Sequence, residues 1–421
     1  MIGGAIGPAR KSANEVTLDE VMLGIMLLLL CYQNLVVMDF GVFSMKYCHV
    51  FFVAFLLYAV ARRGRSFSAP PTVINTAFLL LFLLTVINLP KRGFNSVVFN
   101  YVFMYALIIA VYNLTISMDA HRLERLIRVV AWIVLASVYV KIAFNVSTIR
   151  AFFADSWGGH PSIETFFGGG VNLEASWIAL FGVFFHPNRQ GRAYIALATV
   201  ISVLYASRAG LIICIAAVFF VFGVRGKNKG LSFKVFAVAV VMVAAYFALS
   251  AIDSPIIERL LSIGEDRGSE GRLRMWRYAW PAFMQSPIIG SGAGSSVSVV
   301  GSISGLYYTE GNIHNYYMQV AIDFGIVGFL FLVYALLRFL RKCFANRFDN
   351  PFAAYVFAYF VAAFVQFRGG DALTGFMLGC YFSYEFKRIE LTCSDDAHIA
   401  KETNNAVASS TALWPGKWRV M

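Results

Sequence analysis

The chain has 421 residues, of which 59% are hydrophobic and only 14% are charged. A soluble protein carries about 25% charged residues, so this composition excludes an ordinary water-soluble enzyme. The net charge of +12 could indicate a nucleic-acid-binding protein, but the basic residues form short clusters between apolar runs. Such clusters are typical of membrane topology. The sequence therefore predicts an all-α polytopic membrane protein that has no nucleic-acid partner.

Apolar runs recur along the whole chain, and a membrane helix needs about 20 predominantly apolar residues. We predict about twelve transmembrane helices, with one long loop between spans 9 and 10. The predicted spans are 19–37, 45–60, 72–89, 97–118, 126–144, 172–185, 193–205, 208–224, 233–252, 317–340, 352–367 and 372–386. The chain then divides into an N-terminus (1–18), helices 1–9 (19–252), the long loop (253–316), helices 10–12 (317–388) and a tail (389–421).

The positive charges predict the orientation of the chain. Cytoplasmic loops of membrane proteins carry an excess of Lys and Arg. If both termini are cytoplasmic, most of the 35 Lys and Arg residues fall on the cytoplasmic side. The loop 253–316 then lies outside the cytoplasm, and it is too polar to span the bilayer and too long for a simple connection. We expect a multi-pass membrane protein with its functional site in this loop, on the outer face of the membrane.

Arg208 is the first candidate site residue. It follows Ser207 and begins a predicted apolar helix at its outer end. A helix N-terminus disfavours a cation but binds an anion through free backbone N–H groups. The forked guanidinium donors suit phosphate. The alternative is an arginine that extends to lipid headgroups, but we favour an anion site.

The long loop carries the second group of candidates. Arg272 and Trp276 are four residues apart and would share one face of a helix predicted over 271–285. Arg274 and Arg277 lie on the same segment. Basic and aromatic side chains together suit a diphosphate beside a sugar, whereas the alternative is an amphipathic helix on anionic lipid. Residues 287–294 predict a turn-rich bend.

His314 is the third candidate. With Asn315, it precedes a predicted span in which Gly325 and Gly328 lie deeper. A neutral imidazole can accept a proton near pH 7 or assist a leaving group, and glycines allow helices to pack closely. A single histidine at a membrane interface is commonly structural, but the fixed pattern with glycine favours a functional role.

Four further residues are secondary candidates. Glu174 and Asp371 stand at predicted outer helix starts, where acidic residues commonly act as caps. Asp323 lies inside a span and needs a partner, and Arg368 stands just before Asp371. The sequence contains no Asp-x-Asp motif, no Walker loop and no His-Glu-x-x-His. We therefore predict no metal and no cofactor.

Taken in order, these motifs resemble the superfamily of O-antigen ligases and O-antigen and exopolysaccharide polymerases. The resemblance covers about residues 168–345, and a segment similar to the family's precedes them at Gly170-Val171-Asn172 with Ala175. The motifs are Ser207-Arg208-Ala209-Gly210, Gly271-Arg272-x3-Trp276, Pro287-x2-Gly290-x-Gly292 and His314-Asn315-x9-Gly325-x2-Gly328.

This resemblance implies a membrane glycosyltransferase of the bacterial inner membrane, with its active site at the periplasmic face. The implied donor is a glycan on undecaprenyl diphosphate. The implied reaction is metal-independent and inverting, with attack by an acceptor hydroxyl at the anomeric carbon. The family arginines that match Arg208 and Arg272 would hold the diphosphate, assisted by Arg274 and Arg277. The family histidine that matches His314 would activate the acceptor or assist the leaving group.

Two activities within the superfamily stay open. A ligase transfers finished polymer to lipid A–core, whereas a polymerase transfers a growing chain to a lipid-linked repeat unit. The pattern at His314 resembles the ligase branch slightly more. The alternative from another class is a transporter or flippase of a lipid-linked anionic glycan, which predicts charge near mid-membrane on several helices and an internal repeat.

Overall fold

The computed structural model describes residues 16–41, 44–155, 161–224, 267–308, 312–346, 348, 350–364, 366 and 370–388. Across these ranges the chain is mostly helical, with one two-stranded antiparallel sheet, β1 (Val36–Asp39) and β2 (Ser44–Lys46). The helices are α1 (Leu18–Cys31), α2 (Tyr47–Arg63), α3 (Val73–Ile87), α4 (Leu89–Arg92), α5 (Ser96–Thr115), α6 (Ala120–Phe144), α7 (Val146–Asp155), α8 (Val171–Phe181), α9 (Arg189–Leu204), α10 (Arg208–Val218), α11 (Arg267–Arg277), α12 (Ala279–Met284), α13 (Ser296–Ser304), α14 (Tyr316–Ala345), α15 (Pro351–Ala362) and α16 (372–388).

Three of the described helices, α5, α6 and α14, are long and apolar enough to cross a membrane. Shorter apolar helices cover Ile74–Ile87, Val171–Phe184, Arg208–Phe222 and Pro351–Ala362. These findings confirm a mostly helical chain with helices suited to a membrane. The number of twelve spans stays a prediction, and the ninth predicted span, 233–252, lies outside the described residues.

The predicted end of the first span at residue 37 is wrong. Helix α1 ends at Cys31, and the apolar residues that follow lie in the exposed strand β1. Polar residues fix this change of direction, because the Tyr32 hydroxyl donates to Ser137 Oγ (2.6 Å) and the Asn34 amide donates to the carbonyl of Thr165 (2.6 Å). Hydropathy alone could not separate an apolar strand from the helix before it.

Several helix ends that are predicted to be cytoplasmic contact one another in pairs. Arg62 at the end of α2 pairs with Asp19 at the start of α1 (3.5 Å). Lys387 near the end of α16 donates to the carbonyl of Thr115 at the end of α5 (3.0 Å). This grouping agrees with the predicted alternation of the spans. Which end faces the cytoplasm stays a prediction.

The described part of the long loop lies near the start of α5, where the Asn95 amide donates to the carbonyl of Ala293 (3.1 Å), at the other end of that helix from Thr115. Helices α11, α12 and α13 have a small apolar core of their own, in which Met275, Ala279 and Val300 are buried together with Ile322 of α14. Helix α14 is not straight, because Gly325 has φ 67° and ψ −168° inside it. The loop therefore packs on a long helix that is interrupted two to three turns from its start.

Candidate functional site

Arg208 stands at the start of α10, as predicted, and its side chain is half-buried. The helix begins there because Ser207 is its N-cap and accepts a hydrogen bond from the Gly210 N–H (3.1 Å). The preceding Ala206 has φ 49°, a left-handed conformation that a non-glycine residue rarely adopts. We name residues 205–210 the Arg208 turn.

Helix α8 holds the Arg208 turn in place. The Ser207 hydroxyl donates to the carbonyl of Asn172 (3.4 Å). A Cβ at Gly210 would lie 2.6 Å from Ser202 Oγ and 2.9 Å from Ala175 Cβ. The glycine therefore allows α10 to approach both α9 and α8 closely.

Glu174 is more than a helix cap, because it lies at the centre of a buried network. Its side chain is fully buried and pairs with Lys141 of α6. Glu174 Oε1 also accepts a hydrogen bond from the Tyr205 hydroxyl (3.0 Å), and Oε2 accepts one from the Phe166 N–H (2.6 Å). The Lys141 ammonium lies 4.5 Å from the centroid of the Phe166 ring. The network joins α6, α8 and the Arg208 turn.

Trp276 and His314 lie in one structural unit. The Trp276 indole N–H donates to the carbonyl of Ile313 (2.8 Å), the residue directly before His314. Arg272 is half-buried on α11, one helical turn before Trp276. The predicted shared face of α11 therefore faces the His314 segment, but the indole N–H is used for a backbone contact rather than being available to a sugar.

His314 has an unusual backbone conformation, with φ 54°. Its N–H donates to the side chain of Asn312 (2.8 Å), and its own side chain is partly exposed. Asn315 is the N-cap of α14 and accepts from the Met318 N–H (3.0 Å). Non-glycine residues in this conformation are held by their surroundings and are concentrated at functional sites. His314 stands at the start of the span, as predicted.

We name residues 286–294 the glycine bend. Its contacts with α14 explain the glycine pattern that follows His314. The N–H groups of Ser291 and Gly292 donate to the carbonyls of Ile322 and Asp323 (both 2.9 Å). A Cβ at Gly290 would lie 2.2 Å from the Asp323 carbonyl oxygen, and one at Gly325 would lie 2.3 Å from the Ile288 carbonyl oxygen. Two backbones therefore meet without side chains between them. The predicted turn-rich bend is confirmed.

Asp323 secures the glycine bend and the helix that follows it. The carboxylate is fully buried and accepts from the Gly294 N–H (3.0 Å), the Ser296 N–H (2.9 Å) and the Ser295 hydroxyl (3.2 Å). The sequence predicts that Asp323 needs a partner, and these partners are hydrogen-bond donors at the start of α13. Its geometry indicates a structural role.

The remaining predicted site residues are Arg274, Arg277, Asp371 and Arg368. Arg274 pairs with Glu270 on the exposed face of α11 (2.5 Å), and Arg277 is also exposed. Asp371 accepts from the Tyr359 hydroxyl (2.5 Å). Arg368 lies outside the described residues.

Helix α15 bridges the two halves of the candidate site. The Tyr359 ring stacks on Trp177 of α8 with their centroids 5.8 Å apart. At the end of α15, the carbonyl of Ala363 accepts from the Tyr316 N–H (2.9 Å), two residues after His314. One helix therefore contacts both the element that holds the Arg208 turn and the segment that carries His314.

Sequence reasoning did not find Lys141. It lies near the end of a long apolar helix, where a lysine commonly extends to the interface, and its acidic partner is 33 residues away. The one available signal is that an ionisable residue within a span is costly and needs a partner. That signal does not identify which acidic residue pairs with it.

A comparison with known protein families tests the resemblance that the motifs indicate. Residues 193–333 match the family model described as O-antigen ligase. Over about a third of its length, the chain is therefore similar to the O-antigen ligase family. This match confirms the resemblance and supports a ligase-like or polymerase-like role in polysaccharide biosynthesis. The matched O-antigen ligase segment contains Arg208, Arg272 and His314. No curated protein matched the chain.

Proposed function

We propose that this protein is a membrane glycosyltransferase that moves a glycan from undecaprenyl diphosphate to an acceptor saccharide at the periplasmic face of the inner membrane. The observation that carries this proposal is that one O-antigen ligase match, residues 193–333, contains Arg208, Arg272 and His314. Lipid A–core is the favoured acceptor, which makes the protein a ligase.

The reaction is a displacement at the anomeric carbon. The acceptor hydroxyl oxygen forms a bond to that carbon, and the bond from the carbon to the diphosphate oxygen breaks with its electron pair. The hydroxyl proton passes to the His314 imidazole. The polyprenyl diphosphate leaves as an anion beside the Arg208 and Arg272 guanidiniums. Attack opposite the leaving group inverts the anomeric configuration.

The geometry supports this division of roles. Arg208 combines a guanidinium with the backbone N–H groups at the start of α10, and both favour an anion. His314 is held on both sides, by the Trp276 contact to Ile313 and by the α14 cap at Asn315. A fixed cation and a fixed base are what a displacement of a charged leaving group requires.

Transfer in vitro tests the proposal. Purified full-length protein is mixed with a defined undecaprenyl-diphosphate glycan and candidate acceptors. We expect a new glycosidic bond, with one lipid diphosphate released for each bond formed. Movement of the donor between leaflets without bond formation would show a flippase and contradict the proposal. Activity should survive EDTA, and a loss that an added divalent metal reverses would contradict the metal-independent step.

A deletion strain separates the two activities of the superfamily. Loss of a ligase leaves core without polymer while long lipid-linked chains accumulate. Loss of a polymerase leaves core or lipid carrying single repeat units. The first phenotype is the expected one, and the second would reassign the acceptor to a lipid-linked repeat unit while keeping the same donor chemistry.

A further inference from the structure

The network around Glu174 has three partners, and each belongs to a different part of the chain. Lys141 comes from α6, Tyr205 from the end of α9 and Phe166 from the segment before α8. The carboxylate is fully buried, and the Lys141 side chain is only 11% exposed. A buried ion pair is costly to form and adds little net stability, so its presence at this position calls for a reason other than stability.

The position of the network supplies that reason. Tyr205 stands three residues before Arg208, and between them lies Ala206 with φ 49°. Three successive contacts hold this stretch on α8: the Tyr205 hydroxyl to Glu174 (3.0 Å), the Ser207 hydroxyl to the Asn172 carbonyl (3.4 Å) and the approach of Gly210 to Ala175. The first of these depends on a carboxylate whose orientation Lys141 fixes.

We propose that Lys141 and Glu174 are positioning residues for Arg208: the buried pair fixes the Glu174 carboxylate, which holds Tyr205 and thereby sets the direction of the Arg208 guanidinium. This inference rests on the proposed function, in which Arg208 binds the donor diphosphate. The pair itself does not contact the substrate. Loss of the pair should therefore lower kcat/KM for the donor and leave the KM for the acceptor unchanged.

Tyr205→Phe is the mildest test, because it removes one hydroxyl and keeps the ring and the ion pair. We expect donor kcat/KM to fall about ten- to a hundredfold, since small misplacements of a catalytic group have effects of this size. The acceptor KM should stay unchanged. Tyr139→Phe is the matched control, because it removes a tyrosine hydroxyl that makes a similar contact between helices, from α6 to the Leu197 carbonyl of α9 (2.8 Å). It should behave as wild type.

A double-mutant cycle shows whether the effect passes through Arg208. Arg208→Lys lowers donor use by itself, and adding Tyr205→Phe should then change donor kcat/KM by less than about twofold. An equal loss of donor kcat/KM in the wild-type and Arg208→Lys backgrounds would mean that Tyr205 acts independently of Arg208. That result would contradict the inference. If Arg208→Lys alone has wild-type donor kinetics, the proposed role of Arg208 fails, which is a distinct result.

The apolar double variant Lys141→Met with Glu174→Leu gives a second line of evidence. Replacing both members of a buried pair with apolar residues of similar volume commonly preserves folding. The variant should give normal yield but show the donor defect of Tyr205→Phe, because Tyr205 has lost its acceptor. Wild-type donor kinetics in this variant would overturn the inference.

Discussion

The two halves of the candidate site are built by different means. The Arg208 turn is held by side chains: a buried ion pair, a tyrosine hydroxyl and a serine cap. The His314 segment lies beside a region held mostly by backbone, where the glycine bend meets the interruption of α14 at Gly325. The difference teaches that the first half depends on which polar side chains pair with one another, whereas contacts between two backbones require glycine at fixed positions.

The largest expected effect is the loss of transfer when either half loses its candidate side chain. His314→Ala removes the proton acceptor, and Arg208→Ala removes a cation from the leaving group. Each should lower kcat about 10²- to 10⁴-fold while leaving expression and folding intact. Transfer is measured with a labelled donor, and normal product from one variant would exclude that residue from the site.

The next largest effect concerns the half of the site that is held by contacts between backbones. Gly325→Ala places a Cβ 2.3 Å from the Ile288 carbonyl oxygen at a backbone conformation that is essentially limited to glycine. We expect a loss of about 3–5 kcal/mol of stability and little folded protein. Gly93→Ala is the control, because Gly93 has nearly the same backbone conformation (φ 71°, ψ −176°) but its Cβ would meet nothing within 4 Å. Thermal unfolding in detergent compares them, and equal losses would contradict the proposed contact.

The sequence could predict this half of the molecule well. The spacing from His314 to Gly325 and Gly328 allows this prediction. A backbone conformation that only glycine adopts readily requires glycine at that position of the sequence. The helix start at Arg208 was also predictable from Ser207 and the apolar run after it. Lys141 was not, since its pairing with Glu174 depends on how α6 packs against α8. The strand after α1 was missed because apolar residues suit lipid-facing helices and strands equally.

A smaller effect is expected at Asp323. Asp323→Ala leaves the N–H groups of Gly294 and Ser296 and the Ser295 hydroxyl without their acceptor. The stability should fall by about 3 kcal/mol, with partial transfer activity remaining in the folded fraction. Asp39→Ala on the exposed strand β1 is the control. A melting temperature equal to that of the control would show that Asp323 does not secure the glycine bend.

The smallest effect concerns Trp276. Trp276→Phe keeps an aromatic ring but loses the hydrogen bond to the Ile313 carbonyl, which is worth about 1 kcal/mol. We expect kcat to fall several-fold with both KM values unchanged, because the substitution affects the placement of His314. Trp280→Phe is the control, since Trp280 is 68% exposed. A raised acceptor KM in Trp276→Phe would indicate direct sugar contact instead.

The most direct test of the account asks which side of the membrane carries the site. Tyr307 is 92% exposed, seven residues before His314 along the chain, and the five described cysteines are buried. In cells with a permeabilised outer membrane, Tyr307→Cys should react with a membrane-impermeant maleimide. Ser66→Cys, at the exposed opposite end, should react only after the inner membrane is broken. The reverse pattern would place the Arg208 turn and His314 in the cytoplasm and contradict a periplasmic transferase.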